Sequence, residues 1–203
     1  MSALASEVLK KALKEGRRVL FEHEAKLLCQ KYGLNIPKFK IIKSVDEAHG
    51  VAKALKYPVV LKILSPDILH KSDVGGVKIN LKTPEEVAKA YDEILENVRK
   101  VKPNARIIGV TVQEMAPEGL EVIIGGIKDA FFGHAIMFGL GGIFVEVLKD
   151  VSFGIVPLTR RDVEDMIKEI KSYPVLEGAR GMPPRDIEAL IDTILKISHL
   201  LQE

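Results

Sequence analysis

This chain has little of what would set it apart from an ordinary globular protein. It holds one cysteine, Cys29, which cannot close an internal disulfide; that excludes a disulfide-stapled secreted scaffold and fits a reducing, cytoplasmic setting. Long apolar runs are missing. The longest uncharged stretch, Ala135–Val145, is about half of the ~20 apolar residues that a membrane-spanning helix needs. The N-terminal MSALASEVLKKALKEGRR has no apolar signal-peptide core. Neither sign of charge dominates. With 30 basic residues against 28 acidic, the net charge of +2 points to neither nucleic acid nor membrane. No Gly-x-Gly-x-x-Gly follows a strand and opens a helix, so a dinucleotide-binding turn is excluded. Repeats and low-complexity segments are absent. Glutamine and asparagine are scarce beside lysine and glutamate, a composition found in thermophile proteins.

What is there is a chain of 203 residues, 47% hydrophobic, enough for one large domain or two small lobes with a real core. Apolar residues at helical spacing predict helices over 3–14 and 22–32, the second ending at Gly33, with Pro37 beyond it. An alternation follows. Residues 38–43 read as a strand. Ser44-Val-Asp-Glu47 reads as a capping box for a helix to Leu55, and 58–64 is an apolar strand. A loop over 65–76 ends in Gly75-Gly76. A strand over 77–81 leads to a second box, Thr83-Pro-Glu-Glu86, opening a helix to about Lys100. Further on, 107–115, 120–128, 132–138 and 144–147 read as strands separated by turn residues, glycine prominent among them. Two helices, over 160–171 and 185–201, flank a loop at 174–184. The chain therefore reads as two α+β lobes, joined near 105–109, with a cleft between them as the expected ligand site.

Several residues break the pattern. Lys62 shares a strand face with Val60 and Leu64. A buried unpaired ammonium costs several kcal/mol, so it is either an edge lysine snorkelling to water or a lysine aimed at a phosphate. In the loop after it, Gly75 and Gly76 either mark a simple turn or bring backbone N–H groups close to an anion. His70 lies in that loop beside Lys71 and Ser72. A loop histidine is often a solvated bystander, but it can also act as a nucleophile toward phosphorus. Glu114 extends the face of Val110 and Val112, and Glu121 lies in the next strand. The two carboxylates either are solvated edge charges or hold ribose hydroxyls or an adenine amino group. Glu146 and Asp150 follow the glycine loop Phe138-Gly-Leu-Gly-Gly142, as candidate metal ligands or solvent-facing charges. His134 reads as structural, and His23, His49 and His199 need no function.

Taken together these segments resemble a known family. Phe21-Glu-His-Glu-Ala-Lys-Leu-Leu with Tyr32-Gly33 and Pro37 resembles the opening of the ATP-grasp subunits of acyl-CoA and succinyl-CoA synthetases. Pro58-Val-Val-Leu-Lys-Ile63, Ile68-Leu-His-Lys-Ser-Asp-Val-Gly-Gly-Val77, Val112-Gln-Glu-Met115, Glu121 and Met137-Phe-Gly-Leu-Gly-Gly-Ile-Phe-Val-Glu146 resemble the β subunit of ADP-forming acyl-CoA (acetate–CoA) synthetases. The resemblance spans nearly the whole chain, and the histidine loop is its most specific part.

The resemblance implies an ATP-grasp fold: two α+β lobes gripping ATP or ADP with Mg between them. It implies a helical extension over 1–20, a first lobe over 21–107 and a second over 108–203. Lys62 would contact nucleotide phosphates, Gly75 and Gly76 would belong to the phosphate-covering loop, Gln113, Glu114 and Met115 would form the adenine-side hinge, and Glu121 would reach the ribose. His70 would be a phosphohistidine that relays phosphate to ADP. The expected reaction is acyl-CoA + ADP + phosphate = carboxylic acid + CoA + ATP, run by a hetero-oligomer. Its partner α subunit would carry the CoA-binding domains and another phosphohistidine. Phosphoryl transfer rests on positioning and charge neutralisation, and histidine-borne steps let two distant sites share one phosphoryl group. One departure stands out: the strands that bear the family's magnesium ligands lie beyond Glu203, so the metal ligands are unknown, with Glu146 and Asp150 as candidates. The rival readings are another ATP-grasp carboxylate ligase working through an acyl phosphate, which would not need His70, and a non-catalytic nucleotide-binding module.

Overall fold

The computed structural model describes residues 3–179, 181 and 183–203. The chain divides into two compact units. One comprises Glu7–Leu27 and Asn35–Pro117; the other takes in Leu28–Leu34 and Glu118–Glu203.

Two helices open the chain, α1 (Ala3–Lys14) and α2 (Glu22–Lys31), the latter stopping at Gly33 with φ +77°. In the first unit β1 (Phe39–Ile42), α3 (Val45–Leu55), β2 (Val59–Leu64), β3 (Val77–Leu81), α4 (Pro84–Val101) and β4 (Gly109–Glu114) follow. Both predicted caps form. Ser44 Oγ accepts from Glu47 N and Thr83 Oγ1 from Glu86 N, each cap being worth ~1 kcal/mol. The glutamates reach one residue further back than a strict box, to Lys43 N and Lys82 N.

The sheet order is β1-β4-β2-β3, all antiparallel. Its register decides the two faces. Val59, Leu61 and Ile63 of β2 share one face with Val110 and Val112 of β4 and Ile42 of β1, and these pack with Ala48, Ala52, Val87, Tyr91 and Ile94 from α3 and α4. The opposite face carries Lys62 paired with Thr111, and Val60 paired with Gln113. The strand at 107–115, expected to begin the second lobe, lies instead between β1 and β2. The boundary at 107/108 thus falls one strand early, because Val110 and Val112 of β4 complete the first core.

The second unit holds β5 (Val122–Asp129), β6 (Gly133–Leu140), α5 (Ile143–Glu146), β7 (Val151–Ile155), α6 (Arg160–Glu169), α7 (Tyr173–Glu177) and α8 (Ile187–Gln202). Its sheet is the antiparallel meander β5-β6-β7. Ile136, Phe138 and Leu140 of β6 form its core with Val163, Met166 and Ile167 of α6 and Ile191 and Ile194 of α8. Gly154 of β7 sits directly under the Met166 side chain, where a Cβ has no room. The run at 144–147, expected as a strand, is part of a short helix. The third strand is Val151–Ile155, and the loop expected at 174–184 begins as α7. A complete capping box at α6, with Thr159 and Asp162 satisfying each other's backbone, was also not foreseen. Among the described residues no helix is long and apolar enough to cross a membrane.

Candidate functional site

Lys62 resolves the first anomaly. It sits in β2, between β4 and β3, so it is no edge lysine. Its Nζ reaches Glu22 Oε1 at 3.0 Å, and it is not alone there. Lys26 Nζ lies 2.8 Å from the same oxygen, and Lys71 Nζ lies 3.0 Å from Oε2. Lys26 also donates to Gln113 Oε1 at 2.5 Å and stands 5.3 Å from the centre of the Phe39 ring. Three ammonium groups therefore converge on one carboxylate. All four side chains are largely shielded from water. Burial alone raises the Glu22 carboxyl, but hydrogen bonds from Lys26, Lys71 and Lys62 outweigh it and hold it down at about 2. The cluster is cationic by two charges beyond what Glu22 neutralises, the signature of an anion site.

The platform under Glu22 is tied together by short contacts. Arg17 makes a two-point contact with Glu24, both bonds 2.8 Å, and Glu24 Oε2 also accepts Phe21 N at 2.9 Å. The Arg17 guanidinium covers the Phe21 ring at 4.1 Å. Burial raises the Glu24 carboxyl, and the contacts from Arg17 and Phe21 more than reverse it, leaving it below the usual range. These contacts clamp the first turn of α2, where Glu22 is the first residue.

The loop from 65 to 76 faces this platform. Its start is anchored: Asp67 Oδ2 accepts Arg106 N, and Asp67 O accepts Lys102 Nζ. Its end is anchored too. Gly76 O accepts Ile63 N, and Gly76 N donates to Lys71 O, both at 2.8 Å. Ile68 and Val74 are buried, so the loop is pinned at both sides of a tip where Leu69 is 70% exposed and His70 is exposed. His70 lines a cavity of about 440 Å³ together with Glu22, Lys62, Lys71, Ser72 and Asp73. The first signal in the sequence, a lysine on an apolar strand followed by a histidine loop, thus leads to one place.

Gly75 and Gly76 are required sterically. Gly75 has φ +62°, and a Cβ there would lie 2.7 Å from Asn97 Nδ2. At Gly76 a Cβ would lie 2.6 Å from Ile63 Cγ2 and 2.9 Å from Lys71 O. Both N–H groups donate within the loop, Gly75 to Ser72 O and Gly76 to Lys71 O, so in this conformation neither faces an anion.

Of the expected hinge, Gln113 joins the cluster through Lys26. Glu114 does not: its Oε1 accepts Lys38 N at 2.8 Å, and its own N donates to Lys38 O. Met115 N donates to Pro58 O at 3.3 Å. Glu121 belongs to the other unit, where its side chain is exposed and its carbonyl accepts Gly141 N.

The two metal candidates do not meet in a site. Glu146 is exposed at the end of α5. Asp150 directs Oδ1 to Lys171 N and Oδ2 to Ser172 N, at 2.8 and 2.7 Å, and so caps the turn before α7. Burial raises its carboxyl, and the Ser172 and Lys171 groups facing it leave it below the ordinary range. Among the described residues no three His, Cys, Asp or Glu side chains gather as a metal cage. Sequence reasoning missed Glu22 and Lys26. An acidic residue in a first helical turn with lysine four residues on looks like an ordinary surface pair, and only the fold brings Lys62 and Lys71 to it.

Comparison with known proteins bears on this site. Residues 11–203 match the ATP-grasp domain family. The chain is 51% identical over 203 residues to subunit beta of the ADP-forming acetate–CoA ligase II of Pyrococcus furiosus, covering 100% of this chain and 86% of that one. Among solved structures it is similar to the dinucleotide-forming acetyl-coenzyme A synthetase 1 of Candidatus Korarchaeum cryptofilum in complex with coenzyme A, Ca-AMPCP and HgCl+. The TM-score is 0.94 at 50% identity, over 97% of this chain and 86% of that one. The same protein with coenzyme A and Mg-AMPPCP, its phosphohistidine segment pointing towards the nucleotide site, matches with a TM-score of 0.86 at 46% identity, over 98% of this chain and 86% of that one.

Proposed function

We infer the chemistry of the Glu22 cluster from one premise: the chain belongs to the ATP-grasp β subunits of ADP-forming acetate–CoA ligases, acid–CoA ligases that work with an α subunit. The reaction is acyl-CoA + ADP + phosphate = carboxylic acid + CoA + ATP. In our reading His70 is the relay residue. A lone-pair nitrogen of its neutral imidazole attacks the phosphorus of a phosphohistidine on the α subunit. The new N–P bond forms as the donor's N–P bond breaks. A terminal phosphate oxygen of ADP then attacks in turn, an O–P bond forms, and the His70 N–P bond breaks to give ATP.

The observation that carries this reading is the cavity that exposed His70 shares with Lys62 and Lys71, whose ammonium groups converge within 3.0 Å of Glu22. Phosphoryl transfer needs charge neutralisation around the transferring group, and two or three fixed lysines supply it. Lys62 and Lys71 hold phosphoryl oxygens, and Gln113 holds Lys26 in line. The hinge at 113–115 takes the adenine and Glu121 the ribose. For Glu114, Met115 and Glu121 the support is the resemblance alone: the Glu114 carboxylate accepts Lys38 N, Met115 N donates to Pro58 O, and Glu121 is exposed in the other unit. Gly75 and Gly76 shape the loop.

The Korarchaeum relative binds Mg-AMPPCP, which supports a magnesium nucleotide as the ligand here. The described residues of this chain do not form a cage for that metal, so no step is assigned to it. The α subunit carries the CoA-binding domains and the donor phosphohistidine, making the enzyme a hetero-oligomer.

The test is labelling. The α/β complex incubated with γ-labelled ATP and magnesium should carry acid-labile, base-stable label on the β chain. His70→Asn should abolish it and stop turnover while ADP affinity stays near wild type. Full acyl-CoA-dependent ATP synthesis by that variant would refute the relay.

A further inference from the structure

We propose that Glu22 is a positioning residue that occupies the phosphoryl place in the lysine cluster and is displaced from Lys62 and Lys71 when a phosphoryl group arrives. The inference rests on the reading of Lys62 and Lys71 as phosphate ligands, and assigns a residue that reading does not need.

Both Glu22 oxygens are committed. Oε1 takes Lys26 and Lys62, at 2.8 and 3.0 Å, and Oε2 takes Lys71 at 3.0 Å. The cations come from three elements: Lys26 from α2, Lys62 from β2 and Lys71 from the histidine loop. A planar anion with two acceptor oxygens that bridges three ammonium groups imitates two oxygens of a phosphoryl group.

The two sides of the cluster differ in freedom. Glu22 stands on the turn clamped by Arg17, Glu24 and Phe21 N. The Lys71 backbone is held through its carbonyl, which accepts Gly76 N, but its side chain stands beside the loop tip, where Leu69 and His70 are exposed. Among the described residues, the Lys71–Glu22 pair is the one side-chain ion pair that ties this tip down. Moving Lys71 and Lys62 from Glu22 to phosphoryl oxygens exchanges one charge-assisted contact for another. Lys26, one turn along the same helix and bonded to Gln113, stays with Glu22 in both states.

Two consequences follow. Without a phosphoryl group the lysines remain ordered and the histidine loop is docked. With one bound, the Glu22 charge lies beside it and repels it, so the group is held less tightly and leaves more readily. Glu22 therefore trades anion affinity for turnover.

The experiment compares wild type, Glu22→Gln and Glu22→Asp in the complete α/β complex, measuring KM for ADP, kcat and, by calorimetry, the Kd for inorganic phosphate. Removing one like charge next to the anion should tighten both constants roughly tenfold in Glu22→Gln and lower kcat. Glu22→Asp, which keeps the charge, should return both toward wild type. A residue that merely braces the fold predicts the opposite: Glu22→Gln would weaken or leave unchanged both constants. That result, with Lys62→Ala and Lys71→Ala impaired in phosphate binding, overturns this inference alone. If the two lysine variants bind phosphate and ADP as wild type does, the phosphate reading of the cluster falls as well. Melting curves on all variants keep a folding defect distinct from either result.

Discussion

Replacing Gly76 by alanine separates a steric role for this glycine from a phosphate-binding one. The backbone φ at Gly76 is outside the left-handed region, so alanine meets no conformational penalty there. The obstacle is space. A Cβ would come within 2.6 Å of Ile63 Cγ2 and 2.9 Å of Lys71 O. Ile63 is fully buried in β2, between two other strands, and Lys71 O is backbone. Neither can retreat by the ångström or so required without moving the strand or opening the loop. Overpacking of this kind costs about 1–3 kcal/mol. Pushing the loop outward also weakens the Gly76 N to Lys71 O bond, now 2.8 Å, worth about 1 kcal/mol. Against these stands roughly 0.5–1 kcal/mol gained from a stiffer unfolded chain. The net is a loss of about 2 kcal/mol, a fall in Tm of ~4–8 °C for a protein of this size. Scanning calorimetry on Gly76→Ala reads it directly. The loop also carries Lys71 and His70, so phosphate-dependent labelling should drop with stability. An unchanged Tm with weakened ADP binding would refute the steric account and return Gly76 to the ligand.

Asp150→Asn removes one of two acceptors facing Lys171 N and Ser172 N and should destabilise by about 1–2 kcal/mol. Because the folded carboxyl titrates below its unfolded value, its contribution is present above about pH 4 and fades as pH falls through the folded pKa, so the wild-type advantage in urea melts should shrink on acidification. A shifted magnesium requirement without loss of stability would instead make Asp150 a metal ligand. Arg17→Leu strands Glu24, only 5% exposed, and should cost about 3–5 kcal/mol by denaturant titration, while the double variant with Glu24→Leu recovers much of that. A loss under 1 kcal/mol would show that the pair does not clamp α2. Lys62→Ala should weaken Mg-ADP binding by about 1.5–3 kcal/mol in calorimetry, the range for one charge-assisted bond, and unchanged affinity would remove Lys62 from the site.

Local signals in the chain determined its elements and part of its chemistry. Ser44, Thr83 and Gly33 mark helix ends because capping and a positive φ act within a few residues. The apolar run Val59–Leu64 read as a strand, and within it Lys62 stood out as a charge on an apolar row. The motif around His70 was legible for the same reason: it is contiguous. What needed the tertiary structure is everything that depends on strand order. The strand after α4 could open a second lobe or complete the first sheet, and only pairing with β1 and β2 decided it. That same order sets Gln113 and Lys62 on one face, where Lys26 and Glu22 of α2 and Lys71 of the loop meet them. Glu22 and Lys26 lie in a segment that carries the resemblance, but their role was not legible because four residues on a helix face is an ordinary spacing. Glu114 and Asp150, conspicuous as carboxylates, turned out to face backbone N–H groups 76 and 21–22 residues away, contacts no local pattern encodes. Capping and periodicity are short-ranged and additive along the chain. A cluster of three ammonium groups on one carboxylate exists only once distant segments are packed together, because charge-assisted hydrogen bonds form only at contact distance.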